Sequence, residues 1–235
     1  MPVFYIVATP IGNLKDISLR AIDALKEVDL ILCEDTRMTQ KLLERYEIKK
    51  PLLSYHQHSE LQKIDYIIKI LKAGKNLALV SDAGTPGISD PGNKLIEELG
   101  KNKIEDLKII PIPGPSALIS AISISGFPMD RFLFLGFPPA KNKRKKFFEE
   151  VINSKYPVIF YESPYRILKT LKELCKTHLT YNCSHGYNCT ASEVVVCREL
   201  TKKFETIYRG EISEVIEKIE KDKILGEFTV IVKNK

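Results

Sequence analysis

The chain has 235 residues, of which 44% are apolar, and a formal net charge of +6 at pH 7. This composition is typical of a globular protein with a buried core, and no apolar run reaches the ~18 residues that a membrane-spanning helix needs. The chain starts on an apolar strand pattern rather than a basic targeting segment, and its five cysteines do not suggest a disulfide framework. We therefore expect a soluble, cytoplasmic protein with reduced thiols.

Apolar runs and helical spacings alternate along the first half of the chain. Short apolar runs predict buried strands, and apolar residues three and four apart predict the helices between them. This alternation predicts a mostly parallel α/β sheet in a first domain, residues 1–113. The predicted strands are Val3–Ala8, Asp29–Cys33, Leu77–Val80 and Lys108–Ile112; the predicted helices are Leu19–Lys26 (capped by Asp16 or Ser18), Thr36–Tyr46, Leu61–Leu71 and Asn93–Leu99.

The pattern changes after the turn Pro113-Gly114-Pro115, which we expect to be a hinge. Extended segments separated by helices predict a second α/β domain, residues 114–235, and a ligand bound between the domains would touch loops from both. The predicted extended segments are Phe132–Phe137, Val158–Tyr161, Val194–Arg198 and Phe228–Val232; the predicted helices are Ser116–Ile122, Lys143–Ile152, Arg166–Cys175 and Ile212–Lys221.

The run SDAGTPGISDPG, from Ser81 to Gly92, directly follows the predicted strand Leu77–Val80. Its three glycines and two prolines leave much of the backbone open, and such loops at the carboxyl end of a strand bind ligands in open α/β sheets. No Lys-Ser or Lys-Thr follows the glycines, and the GxGxxG spacing is absent. The run therefore predicts a ligand-binding loop that is not a phosphate loop, with a simple tight connection as the alternative.

Further polar stretches follow other predicted strands. They are Thr9 to Leu14, Glu34 to Arg37, and Tyr161 to Arg166, and polar groups in such positions often handle substrate. Asp35 or Thr36 could equally cap the helix that follows, and both interpretations can hold together. The stretch Tyr55-His56-Gln57-His58 is better explained as a surface loop.

Two clusters of charged or metal-binding residue types lie in the second half. Five of the six residues from Lys141 to Lys146 are basic, which is typical of a solvated loop or of a contact with a phosphate backbone. A cysteine and histidine cluster has a spacing that matches no regular zinc finger, so we expect no metal site there. Its members are Cys175, His178, Cys183, His185 and Cys189.

Eight ordered blocks, spread over nearly the whole chain, resemble the ribosomal RNA small subunit methyltransferase I family, which belongs to the tetrapyrrole methylase superfamily. The blocks are VATPIGNLKDIS, ILCEDTR, LVSDAGTPGISDPG, IPGPSAL, LGFPP, YESPYRI, RELTKKFE and GEF. The resemblance implies an S-adenosylmethionine-dependent enzyme that methylates the ribose 2′-hydroxyl of a cytidine in the decoding region of 16S rRNA, as naked rRNA or within the 30S subunit. It also implies a two-domain α/β fold of the tetrapyrrole methylase type, with the cofactor cleft between the domains, and a homodimer.

The resemblance also implies the cofactor site. S-adenosylmethionine carries a sulfonium cation and no phosphate, so a glycine-rich loop without a phosphate-binding lysine is compatible with it. Free N–H groups at the start of the predicted helix after Pro115 suit its carboxylate. The implied cofactor-binding residues are Pro10, Asp82, Ala83, Gly84, Thr85, Ile88, Ser116, Ala117, Phe160, Tyr161, Leu200, Glu227 and Phe228.

Methyl transfer to a hydroxyl is an in-line displacement, in which alignment supplies most of the rate and a proton acceptor assists. Glu34, Asp35 and Glu162 are the candidate acceptors, and we favour Glu34 or Asp35 near the ribose. Arg37 completes the predicted catalytic group as an orienting cation. An RNA substrate also favours the basic run as a contact; the predicted RNA-binding residues are Arg20, Lys141, Lys143, Arg144, Lys145, Lys146 and Arg166.

Two other functions stay open. A tetrapyrrole methylase acting on a porphyrinoid carbon usually has a Gly-Gly-Asp-Pro loop where this chain has Ala83-Gly84-Thr85-Pro86, and it lacks the EDTR and YESPYRI blocks. A catalytically silent RNA-binding protein would have lost its cofactor site, and measuring the binding of S-adenosylmethionine would distinguish it. The chain departs from the implied family between Cys175 and Ala191, and many members continue beyond the position of Lys235.

Overall fold

The computed structural model describes residues 1–55, 61–90, 92–184 and 193–233, without the side chains of 61 and 179–184. Its internal contacts divide the chain into two compact units, Met1–Ser116 and Ala117–Lys235. The boundary predicted from sequence is at residues 113 and 114. Across the described ranges, no helix combines the length and apolar character required to cross a membrane.

The first unit is built on a five-stranded parallel sheet in the order β3-β2-β4-β1-β5. All four residues of β4, the middle strand of the sheet, are buried, as expected for a parallel strand covered on both faces. The strands are β1 (Val3–Val7), β2 (Leu30–Cys33), β3 (Leu52–Ser54), β4 (Leu77–Val80) and β5 (Lys108–Ile112); the helices are α1 (Leu19–Glu27), α2 (Thr36–Arg45), α3 (Leu61–Lys72) and α4 (Gly92–Lys101).

Successive residues of a strand point to opposite faces, and β4 therefore contributes to two apolar cores. Ala78 and Val80 pack with α1 and α2, whereas Leu77 and Leu79 pack with α3 and α4. The predicted parallel α/β sheet is confirmed. The sequence missed β3, whose three residues are too few to show a pattern.

The beginning of α1 decides between the two predicted caps. Ser18 is the N-cap, and its hydroxyl accepts a hydrogen bond from the backbone N–H of Ala21 at 3.1 Å. Asp16 lies instead in a short 3₁₀ turn, Leu14–Asp16. A serine cap satisfies a backbone donor that the helix leaves unpaired, and its loss costs about 1 kcal/mol.

The second unit contains a five-stranded sheet in the order β6-β7-β10-β8-β9. β6 runs parallel to β7, while β7, β10, β8 and β9 pair antiparallel. Helices α6, α7 and α8 cover one face and enclose a single apolar core. The elements are α5 (Ala117–Ser125), β6 (Leu133–Phe134), α6 (Arg144–Asn153), β7 (Val158–Glu162), α7 (Ile167–Ser184), β8 (Glu193–Arg198), β9 (Thr206–Glu211), α8 (Ile212–Glu220) and β10 (Phe228–Val232).

The predicted α/β character of this half is confirmed, with two differences. The predicted extended segment Phe132–Phe137 is wrong beyond the two residues of β6, because Gly136 adopts a positive φ of 63° and two prolines without N–H groups follow. Strand β9 was not predicted from its sequence, TIYRGE, in which polar and charged residues mask the alternation.

Candidate active site

The loops after β1 and β4 are joined at the carboxyl edge of the first sheet. Thr9 and Gly84 form an isolated bridge, with the N–H of each donating to the carbonyl of the other at 2.9 and 3.0 Å. The buried hydroxyl of Thr9 also donates to the carbonyl oxygen of Ser81 at 2.9 Å. The glycine-rich loop is therefore anchored on the end of β1, through residues that the sequence did not single out as a pair.

The loop after β5 joins the same edge. The Thr85 hydroxyl donates to the carbonyl of Pro115 at 3.3 Å. A Cβ atom on Gly114 would lie 3.0 Å from Cβ of Ala8, which is tighter than most real contacts. Glycine at this position therefore permits the close approach of two backbones. Three strand ends thus meet in one small region of the first unit.

Within the glycine-rich loop, Gly84 is buried and paired with Thr9, its neighbours in the first half are more exposed, and the second half closes on itself. Asp82 and Ala83 are exposed, Thr85 is half-buried, and Ile88 is 42% exposed. In the second half, Asp90 Oδ1 accepts hydrogen bonds from the backbone N–H groups of Gly87 and Gly92. The second half of the segment is therefore a tight connection, and ligand binding by the first half stays a prediction. Pro10 is buried beside Thr9.

The EDTR stretch is attached to this edge by a hydrogen bond from the Asp35 N–H to Asp82 Oδ1, at 2.9 Å. Asp35 is also the N-cap of α2, and its Oδ1 accepts from the backbone N–H of Arg37 at 2.8 Å. The cap interpretation is therefore confirmed for Asp35, and the handling of substrate by this stretch stays a prediction. Glu34 is half-buried between the end of β2 and this cap.

The guanidinium of Arg37 binds both carboxylate oxygens of Asp35, with Nε 3.0 Å from Oδ1 and Nη2 2.6 Å from Oδ2. The hydrogen bonds from the Arg37 side chain contribute most, followed by the one from the Arg37 backbone N–H, and they lower the pKa of Asp35 to about 2. A carboxylate with so low a pKa is a weak proton acceptor. Of the two candidate bases in the EDTR stretch, we therefore favour Glu34, and Asp35 holds Arg37. Arg20 is exposed in the first turn of α1.

The charges at this edge are mostly negative. The carboxylates of Glu34, Asp35 and Asp82 surround open backbone, and Arg37 is already paired with Asp35. The loop from Ser81 to Gly92 contains no lysine or arginine. Such a set of donors and acceptors suits a cationic ligand held by backbone groups better than it suits a phosphate.

In the second unit, the structure corrects two of the predicted cofactor contacts, Phe160 and Phe228. Both side chains lie in the helix-covered core, and the ring of Phe160 packs edge-on against Phe147 with centroids 5.6 Å apart. Tyr161 points to the other face of the sheet, where its ring lies 5.0 Å from that of Phe134. Burial raises the pKa of the Tyr161 phenol, and a hydrogen bond with the backbone of Leu118 opposes this shift.

The RELT and GEF blocks form one connected structure. Backbone N–H of Glu199 donates to the carbonyl of Glu227, and the N–H of Glu227 donates to Glu199 Oε1, each at 3.0 Å. A Cβ on Gly226 would collide with the Glu199 side chain at 2.2 Å, and Gly226 has a φ of +85°. Glycine is therefore required here. Of the predicted contacts in these blocks, Leu200 is buried and Glu227 is exposed.

Glu162 lies in the interior of the second unit, and its predicted role as a proton acceptor is corrected. Its side chain is fully buried; Oε1 lies 2.8 Å from both the Ser163 N–H and the Arg166 guanidinium, and Oε2 accepts from the Thr170 hydroxyl at 2.6 Å. Arg166 also donates to the carbonyl of Pro138 at 3.1 Å. The carboxylate is thus fully engaged in holding the fold together.

Arg144 is a correction to the predicted RNA contacts. It is 7% exposed, and its guanidinium donates to the Thr170 hydroxyl at 2.6 Å, to the carbonyl of Pro139 at 2.9 Å and to Glu173. The sequence carried a signal for this, because Arg144 falls on the same helical stripe as Phe147, Phe148 and Val151. The other basic residues of the run, Lys141, Lys143, Lys145 and Lys146, are exposed.

The cysteine and histidine cluster is described only in part. Cys175 and His178 lie on α7, and burial raises the pKa of the Cys175 thiol. The side chains of Cys183, His185 and Cys189, and likewise residues His56 to His58, lie outside the described residues. Among the side chains that the structure describes, no group of three or more His, Cys, Asp or Glu could hold a metal ion.

Residues 3–216 match the family of tetrapyrrole (corrin/porphyrin) methylases. The chain is 45% identical to the ribosomal RNA small subunit methyltransferase I of Thermotoga maritima, over 98% of this chain and 97% of that protein. It is 46% identical to the enzyme of that name from Mycoplasmopsis pulmonis over the same shares, and 43% identical to that of Bacillus subtilis over 99% and 75%.

Solved structures of similar fold include a cobalt precorrin-4 methyltransferase of cobalamin biosynthesis, with a TM-score of 0.66 and 15% identity over 98% of this chain and 94% of that one. A uroporphyrin-III C-methyltransferase from Thermus thermophilus has a TM-score of 0.63 and 13% identity, over 97% and 93%. At these identities the likeness concerns the fold, and the predicted tetrapyrrole methylase fold is confirmed. The cofactor cleft between the domains stays a prediction.

Proposed function

This chain belongs to the tetrapyrrole (corrin/porphyrin) methylases and, within them, to the ribosomal RNA small subunit methyltransferase I family, and we propose that it methylates the ribose 2′-hydroxyl of a cytidine in the decoding region of 16S rRNA. It is a methyltransferase whose cofactor is S-adenosylmethionine. The choice of ribosomal RNA as the substrate rests on the near-full-length similarity to enzymes named for ribosomal RNA. We further propose that it acts in the cytoplasm as a homodimer, on 16S rRNA or the 30S subunit.

The edge of the first sheet carries several carboxylates, and its glycine-rich loop has no lysine or arginine to bind a phosphate. Both properties fit this cofactor. When bound, S-adenosylmethionine supplies an activated methyl group on a sulfonium cation. Asp82, Ala83 and Thr85, on either side of the buried Gly84, would hold it through backbone groups and the Asp82 carboxylate, and Ser116 and Ala117 at the start of α5 would offer N–H groups to its carboxylate. Tyr161, Leu200 and Glu227 are the remaining candidates in the second unit.

The proposed chemistry assigns separate roles to the residues of the EDTR stretch. Glu34 accepts the proton of the ribose hydroxyl as the new bond to oxygen forms. Asp35 fixes the guanidinium of Arg37, which we propose orients a phosphate of the RNA. Because alignment of the hydroxyl contributes most of the rate, the rigid attachment of this stretch to Asp82 serves the reaction directly.

The test of this function is methylation of 30S subunits that lack the modification, with labelled S-adenosylmethionine and mapping of the modified nucleoside. We expect label in a 2′-O-methylcytidine of the decoding region. Label on a base would overturn the ribose assignment, and label on a tetrapyrrole would replace the substrate altogether. Binding of the cofactor only at millimolar concentration, without methyl transfer, would favour a silent RNA-binding protein.

Replacing Gly84 by alanine is expected to weaken cofactor binding about tenfold, because a side chain at a φ of +83° costs ~1–2 kcal/mol and shifts the loop backbone. Calorimetric titration with S-adenosylmethionine measures the effect. Gly74 is a matched control, since it has a φ of +80° in a turn after α3 and nothing within 4 Å of its would-be Cβ. G74A should lose similar stability and keep cofactor affinity. Equal affinities in the two variants would contradict the role of Gly84.

Replacing the four exposed lysines of the basic run by alanine is expected to weaken RNA binding and reduce its salt dependence. The slope of log K against log salt should become shallower by about 3, because each lost phosphate contact removes ~0.7–0.9. Binding is measured by fluorescence anisotropy over a series of salt concentrations. Four exposed lysines of the first unit provide a control with the same change in charge: Lys26, Lys49, Lys69 and Lys72. The same slope in both variants would contradict a specific contact.

A further inference from the structure

Two exposed aromatic rings stand at one edge of the second sheet. Tyr165 is 95% exposed and Phe137 is 52% exposed. They lie in the loops that follow β7 and β6, and these strands are parallel neighbours. Because parallel strands end at the same edge of a sheet, both loops leave the second unit on the same side.

Two arginine side chains stabilise the loops that carry these rings. The Arg166 guanidinium binds Glu162 at 2.8 Å and donates to the carbonyl of Pro138, which directly follows Phe137. The buried Arg144 guanidinium donates to the next carbonyl, that of Pro139. The ring of Phe137 also packs against Tyr161, with centroids 5.5 Å apart. These hydrogen bonds and the ring packing therefore fix the loops that carry the two rings.

The same segment carries positive charge. Lys141 and Lys143 follow the Phe137 loop directly, and Lys145 and Lys146 are exposed in the first turn of α6. A row of lysines next to exposed rings combines the two interactions that single-stranded nucleic acids need. The lysines attract the phosphate backbone, and the rings stack on unpaired bases. Single exposed aromatic residues are common, but this combination on a fixed support is specific.

We propose that Tyr165 and Phe137 stack on unpaired bases of the RNA substrate, beside lysines that bind its phosphates. This inference rests on the proposed RNA substrate and adds the residues that select a single-stranded region. Stacking is tolerant of sequence, because every base has a flat face. These rings would therefore recognise an unpaired strand near the target and contribute affinity that does not depend on salt.

The experiment measures binding of an RNA fragment of the decoding region by anisotropy over a range of salt. Y165A and F137A should each weaken binding about 5- to 150-fold, because stacking of a base on an aromatic ring contributes ~1–3 kcal/mol. The slope with salt should stay that of the unaltered protein, unlike in the lysine variants. Y165F and Y165W should keep full affinity. Y66A is the control, because Tyr66 is a 52% exposed ring on α3 of the first unit.

The outcomes separate this inference from the proposed function. If the unaltered protein binds the fragment and Y165A binds it equally well, stacking by Tyr165 is wrong while the RNA substrate stands. If the unaltered protein binds no RNA, the proposed function fails and the inference fails with it. Sedimentation of each variant supplies the third arm: weaker binding of Y165A together with loss of a dimer would show that the ring contacts a second copy of the chain, which would overturn the inference.

Discussion

Replacing Glu34 by glutamine is expected to lower kcat by about 10²- to 10⁴-fold, the usual contribution of a positioned general base. Glutamine keeps the size of the side chain and removes its ability to accept the proton. The affinities for RNA and S-adenosylmethionine should change little. Single-turnover methylation with saturating RNA measures the chemical step, and E105Q is the control, because Glu105 is exposed before β5 at the opposite edge of the sheet.

The matched variant D35N should behave differently. It removes the charge that holds Arg37, so we expect a higher KM for RNA, while the stability should change little because asparagine caps a helix about as well as aspartate. With a pKa of about 2, Asp35 is ionised at every pH above about 4, and D35N should leave the shape of the pH–rate profile unchanged between about pH 5 and pH 9. Normal kcat in E34Q together with a collapsed kcat in D35N would reverse the two roles.

The sequence predicted most of the fold because its elements are marked locally. A fully apolar run such as Leu77–Val80 indicates a strand buried on both faces, and the alternation of strands and helices indicates a parallel sheet. The elements it missed, β3 and β9, are short or polar, and pairing with their neighbours stabilises them. Such pairing depends on residues outside the strand itself, and no pattern within these short segments shows it.

The glycine-rich loop shows the same limit within a candidate site. Its composition predicted an open backbone after a strand, and Asp82 and Ala83 are exposed as expected, whereas Gly84 is buried against the end of β1. Asp90 was indistinguishable from a ligand-binding residue, yet its carboxylate closes the second half of the loop. The bridge between Thr9 and Gly84 joins positions that are far apart in sequence. Local chemistry thus predicts a ligand-binding loop here, and only the fold shows which of its polar residues support the loop itself.

Glu162 and Arg144 were assigned to catalysis and RNA binding because charged residues at a strand end and in a basic run are usually exposed. In the structure the Thr170 hydroxyl lies between them, donating to the Glu162 carboxylate and accepting from Arg144. A charge becomes tolerable in a protein interior when its hydrogen-bonding groups are satisfied in this way. The two residues thus support the Pro138 and Pro139 backbone, and through it the proposed RNA-binding edge.

Replacing Glu162 by alanine is therefore expected to lower the free energy of unfolding by about 3–5 kcal/mol, because it leaves Arg166 and Thr170 without their buried partner. T170V should cost about 1–3 kcal/mol, since it removes the bridging hydroxyl. Urea unfolding followed by far-ultraviolet circular dichroism is the measurement, because the chain has no tryptophan. E150A is the control, because Glu150 is exposed on α6.

The double variant E162A/T170V tests whether the residues act as one network. The two losses should fall short of additivity by about 0.5–3 kcal/mol, because the second substitution removes a partner that the first has already left unsatisfied. At a temperature well below the unfolding transition, folded E162A should retain kcat, since its carboxylate does not reach substrate. Unchanged stability with a lost kcat would instead return Glu162 to the catalytic residues.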